Sequence, residues 1–80
     1  MITGIDLSEK NGNPNWEELG YRQVDFAFLK ASEALDSADR NFQANRDNAI
    51  KKGVLVGAYH WLHPRLHVGQ QADFFLSVVG

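Results

Sequence analysis

Val54-Leu55-Val56-Gly57-Ala58-Tyr59-His60-Trp61 is an apolar run that ends abruptly on a tyrosine, a histidine and a tryptophan. A continuous aliphatic run of this length reads as a buried strand of a parallel sheet, and polar groups at the carboxyl end of such a strand are where α/β folds carry their sites. The arrangement occurs twice earlier. Ile2-Thr3-Gly4-Ile5-Asp6-Leu7 ends at an aspartate, and the stretch from Val24 to Glu33, with Lys30-Ala31-Ser32-Glu33 at its end, delivers a lysine and a glutamate. Three strands that bring polar groups to one rim predict part of an enzyme cleft.

The segments between these runs have helical signals. Asn13 is a cap candidate with Pro14 at the first helical position and Gly20 as a stop, which predicts a short helix that buries Trp16 and Leu19. Asp36-Ser37 are cap candidates for a second helix closed by Gly53, with Ala38, Phe42, Ala49 and Ile50 near one face. A third helix, from Leu66 or His67, carries Ala72, Phe75, Leu76 and Val79 on one face and Phe74 and Val78 on its flank. The order βαβαβα with right-handed crossovers implies an α/β fold with a parallel sheet.

Composition removes several classes. Eighty residues with 44% hydrophobic content make one small unit, because a chain of this size buries only somewhat more than ~60% of its unfolded surface. A net charge of −2, with the eight basic residues scattered, provides no stripe for phosphate neutralisation, so nucleic acid is not an expected partner. Zero cysteines exclude a disulfide scaffold and a cysteine-based zinc site. No apolar stretch approaches the ~18 residues of a membrane span, and Met1-Ile2-Thr3-Gly4 has no signal-peptide character. His60, His63 and His67 have the spacing of a helical metal set, but Pro64 disfavours helix at His63 and no carboxylate completes the set, so neither metal nor cofactor is expected.

The ordered blocks resemble the amino-terminal part of glycoside hydrolase family 25, the Chalaropsis-type lysozymes or N-acetylmuramidases. Gly4-Ile5-Asp6-Leu7-Ser8 with Asn11-Gly12 and Trp16 is similar to the family's first strand and its "GIDVS…NG…W" pattern. Lys30-Ala31-Ser32-Glu33 resembles "KATEG", Gly57-Ala58-Tyr59-His60 resembles "GAYH", and Gln71-Ala72-Asp73-Phe74-Phe75-Leu76 resembles "QA-x-x-F-L". The likeness spans residues 4–76, well under half of the family's domain. Ala34 stands where the family usually has glycine, Pro14-Asn15 replaces an apolar-acidic pair, and Trp61 replaces a phenylalanine.

The resemblance implies that residues 1–80 are the first three units of a TIM-like (β/α) barrel in a single hydrolase domain. It also implies cleavage of the β-1,4 bond between N-acetylmuramic acid and N-acetylglucosamine of bacterial cell-wall peptidoglycan, in an extracellular or cell-wall-directed setting. Glycoside cleavage uses two carboxyl groups flanking the scissile bond. Asp6 is the family-matched catalytic carboxylate, and Glu33, Lys30, Tyr59, His60 and Trp61 are expected to line the saccharide site. Tyr59 and His60 are adjacent in a strand, so alternation allows only one of them to face it. The family's Asp-x-Glu motif, which supplies the proton donor, does not occur in the sequence, so the chain alone is expected to be inactive. Ile5, Phe26, Phe28, Val54 and Val56 are expected to lack part of their packing, and open sheet edges leave self-association as a further expectation. A non-catalytic glycan-binding module, or a fragment without independent function, is the alternative.

Overall fold

The three apolar runs lie side by side in the computed structural model, which describes residues 2–21 and 24–80. β1 (Gly4–Leu7) and β4 (Leu55–Trp61) flank the long central β2 (Phe26–Glu33), and both pair with it in parallel. A two-residue strand, β3 (Ser37–Ala38), turns back antiparallel against the end of β2. The helices are α1 (Trp16–Tyr21), α2 (Phe42–Lys51) and α3 (Val68–Val79). A short 3-10 turn at Glu9–Asn11 follows β1.

Several helix expectations need correction. Ser37 and Ala38, read as the cap and first turn of the second helix, belong to β3, and α2 begins only at Phe42. The inward side of α2 carries Phe42, Asn45 and Ala49, whereas Ile50 is 62% exposed. Asn15 rather than Asn13 caps α1, its Oδ1 accepting from the Glu18 N–H, and Gly20 lies within the helix. His67 caps α3 by accepting from the Gln70 N–H at Nδ1. The buried side of α3 is Gln71, Phe75, Val78 and Val79, with Leu76 outside.

Helices cover one face of the sheet. Leu7, Ala27, Leu29 and Ala31 point to that face and form the core with Trp16, Phe42, Ala49 and Val54. Alternation sends Phe26, Phe28 and Lys30 to the other face, together with Asp6, the register partner of Phe28. Phe28 is 52% and Leu55 is 75% exposed there. The expectation of incomplete packing therefore divides by parity: it holds for Phe28, whereas Val54 is buried and Ile5 and Val56 pack against the core. A radius of gyration of 13.3 Å and extents of 41 × 24 × 21 Å exceed the roughly 12 Å expected for a compact 80-residue domain. A sheet covered on one side accounts for the difference.

Irregular backbone sits at the carboxyl ends of the strands. Lys30 pairs with Tyr59, but Ser32 pairs with His60, leaving Ala31 as the extra residue of a bulge. Ala34, just past β2, has φ +55°, the left-handed conformation that a glycine adopts without steric cost.

Candidate active site

The bulge sets the site. In a regular strand, residues three apart point to opposite faces, yet Lys30 Nζ and Glu33 Oε1 form an ion pair. The extra residue, Ala31, shifts the alternation by one, so Glu33 joins Lys30 on the bare face while Ser32 turns to the helices.

Glu33 is held at both oxygens. Oε1 takes the Lys30 ammonium, and Oε2 accepts from the His63 Nε2–H at 2.8 Å. These two hydrogen bonds hold the Glu33 carboxyl down at about 2, against an ordinary value of 4.5. The same carboxylate raises the pKa of Lys30, which is only 7% exposed. Tyr59, beside Lys30 in the register, has its phenol pushed upward first by burial and then by the negative charge of Asp6. Asp6 itself is exposed at the end of β1, and Trp61, 59% exposed, pairs with Glu33 in register. Asp6, Lys30, Glu33, Tyr59 and Trp61 therefore gather on one face at one end of the sheet. Phe26 and Phe28 line that face below them, in edge-to-face contact at 5.8 Å.

His60, expected with them, points the other way. Its ring meets Phe75 edge-to-face, its Nε2–H donates to Gln71 Oε1 at 2.9 Å, and Nδ1 accepts from the Ser32 hydroxyl at 2.7 Å. With both ring nitrogens engaged on the helix side, His60 fastens α3 to the sheet and is not part of the rim. An apolar cleft of about 280 Å³ lies beside it, lined by Leu62, Val68, Ala72 and Phe75 as well as His60 and Gln71. The polar groups of that cleft, His60 and Gln71, are hydrogen-bonded to each other and to Ser32, His63 and Leu66.

Three residues were not singled out for these roles from sequence. Gln71 is wholly buried; besides its bond to His60, its Oε1 accepts from the His63 N–H and its Nε2 donates to the His63 and Leu66 carbonyls. Its signal was a glutamine one turn before Phe75 on the inward side of a helix. Asp39 is 6% exposed and accepts from the Glu9 N–H at 2.8 Å and the Asn41 N–H at 3.0 Å, tying the turn after Asp6 to the start of α2. Its charge also acts on Lys30 and Tyr59. His63, which in sequence reads only as a candidate metal ligand, donates to Glu33 instead. Each of the three histidines has its own partners, and among the described residues no cluster of His, Asp or Glu is arranged to hold a metal ion.

The family model for glycosyl hydrolases family 25 matches residues 5–80. The chain belongs to family 25. Lysozyme M1 of Streptomyces globisporus is 39% identical over 77 residues, which cover 95% of this chain and 26% of that protein. The solved structure of a family 25 glycosyl hydrolase from Bacillus anthracis superposes with a TM-score of 0.94 at 35% identity, over 100% of this chain and 37% of that one. The CTP1L endolysin gives a TM-score of 0.91 at 29% identity, over 100% of this chain and 30% of the endolysin. The chain thus spans between about a quarter and two-fifths of the length of these three proteins.

Proposed function

We propose that residues 1–80 are the amino-terminal part of one hydrolase domain, the first three βα units of a TIM-like barrel. In the intact domain it cleaves the β-1,4 bond between N-acetylmuramic acid and N-acetylglucosamine in peptidoglycan, in an extracellular or cell-wall-directed setting. The observation that carries this reading is the convergence of Asp6, Lys30, Glu33, Tyr59 and Trp61 from three strands onto one face of a family 25 chain.

The roles follow from the local chemistry. Asp6, exposed at the rim, is the carboxylate that supports or orients the sugar whose anomeric carbon becomes positive. Tyr59 offers a ring to a pyranose face and a protonated hydroxyl to an acetamido group, and the raised phenol value keeps that proton in place. Trp61 is a second stacking platform. Glu33 cannot be the proton donor, because a carboxyl held at about 2 is ionised wherever the enzyme would work. It fixes Lys30 and presents carboxylate oxygens to sugar hydroxyls, and the general acid is supplied from outside these 80 residues.

That division predicts glycan binding without turnover by the chain alone, so the non-catalytic reading describes the fragment and the hydrolytic one the domain. Sedimentation with purified peptidoglycan should carry the chain into the pellet while the suspension keeps its turbidity. Asp6→Asn and Tyr59→Ala should each weaken pelleting several-fold. A folded chain that stays in the supernatant would overturn the proposal.

A further inference from the structure

The position of Glu33 is determined from both faces of the sheet. Buried Gln71 holds the main chain of His63 at two points, accepting from its N–H at 3.0 Å and donating to its carbonyl at 2.9 Å. The Oε1 of the same amide accepts from His60, which accepts from Ser32, the residue next to Glu33. The His63 ring then crosses to the rim, where its Nε2–H meets Glu33 Oε2. We propose that His63 is a positioning residue of the glycan site, directing the free lone pairs of Glu33 by holding Oε2 while Lys30 holds Oε1, with Gln71 setting the position of the imidazole.

The inference rests on the reading of Glu33 as a rim group. A single ion pair to Lys30 would leave the carboxylate free to rotate about its terminal bond. A second donor on the other oxygen removes that freedom, and charge-assisted bonds of this kind are about twice as strong as neutral ones. The charged or titratable groups that act on Glu33 are Lys30 from its own strand and His63 from the loop between β4 and α3. His63 is therefore the only charged or titratable group acting on Glu33 from outside its own strand among the described residues. Its side chain is 41% exposed, and the conservative His63→Gln variant separates the lost donor from lost packing.

The test is the carboxyl titration of Glu33, followed by carbon-detected NMR in the 80-residue chain. The wild-type midpoint should lie near 2. His63→Ala should raise it by about one pH unit or more, with Lys30 retaining the rest of the depression. His63→Gln, whose amide can donate from the same place, should restore most of the low value. A merely structural His63 would disturb β4 and α3 resonances without singling out the Glu33 titration, and an unchanged midpoint in His63→Ala would overturn the proposal. A soluble N-acetylglucosamine oligomer, added to each protein, separates the two claims. Shifts at Glu33 that weaken in His63→Ala support both. A His63-dependent titration with no glycan shift at the rim would leave the positioning intact and remove the glycan-binding reading on which its purpose depends.

Discussion

Gln71→Leu is the most informative single change, because leucine fills nearly the same volume and removes only polarity. The amide makes four hydrogen bonds: it accepts from His60 Nε2 at 2.9 Å and from His63 N at 3.0 Å, and donates to His63 O at 2.9 Å and Leu66 O at 3.4 Å. The last is long and belongs to an exposed residue, and His63 is only partly buried, so two groups are counted as left unsatisfied. At about 1–3 kcal/mol for each unsatisfied buried group, the expected loss is about 2–6 kcal/mol. A domain of this size holds only about 4–12 kcal/mol in total, and a loss of even about 2 kcal/mol lowers Tm by about 8–16 °C. Urea unfolding followed by the fluorescence of Trp16 and Trp61 measures it. Gln71→Glu keeps both acceptor bonds, loses both donor bonds and buries a charge, so it should be destabilised as well. If Gln71→Leu unfolds within about 0.5 kcal/mol of the parent, the amide is not the fastener described above.

Other substitutions test other parts of the framework. Ala34→Gly should raise stability by about 0.5–1 kcal/mol in the same urea experiment, since a left-handed alanine costs about 1–2 kcal/mol and glycine returns part of that as unfolded-chain entropy. Gly4→Ala would place a Cβ 2.0 Å from the Phe26 ring; the ring must move, at about 1–3 kcal/mol, and the aromatic resonances of Phe26 and Phe28 should shift together. Glu33 makes an acid limb in the stability curve. Its folded value lies below 4.5, so its contribution is complete above 4.5 and disappears as pH falls towards 2. The ceiling is about 3 kcal/mol, and solvent screening of the carboxylate brings the expected size to about 1 kcal/mol. Glu33→Gln should flatten stability between those two pH values, as read from the urea midpoint at each pH.

How much of this was legible in the sequence depends on the range of the interaction concerned. The strands were readable because apolar runs and their polar ends are local, and the parallel order followed from the intervening helices. The face assignments of Ile5 and Val56 were not readable, because a strand apolar on both sides does not announce its parity. β3 was hidden for a related reason: Ser37 is a good cap by type, and only the pairing of Ser32 with Ala38 reveals that the chain is still extended there. Ile50 looked buried on a helical wheel that began too early. Among site residues, Lys30, Glu33 and Tyr59 sat in recognisable blocks, but His63 and Gln71 act through main-chain and cross-sheet contacts that have no spacing in sequence. The left-handed backbone at Ala34 was not legible, because an alanine gives no local sign of a positive φ.

The bulge at Ala31 links these observations. A regular continuation of β2 would put Ser32 on the Lys30 face and Glu33 on the helix side. Ser32 would then lose His60, and the Glu33 carboxylate would be buried against α3 without its ammonium, a substitution that a small core cannot tolerate. One extra residue reverses both placements. The hydroxyl goes to the imidazole on the helix face, and the carboxylate goes to Lys30 and His63 on the open face. The adjacent left-handed residue then turns the chain away immediately after Glu33, which keeps that side chain at the rim. Backbone irregularity here is therefore the means by which a strand with strict twofold alternation presents a lysine and a glutamate, three residues apart, on the same side.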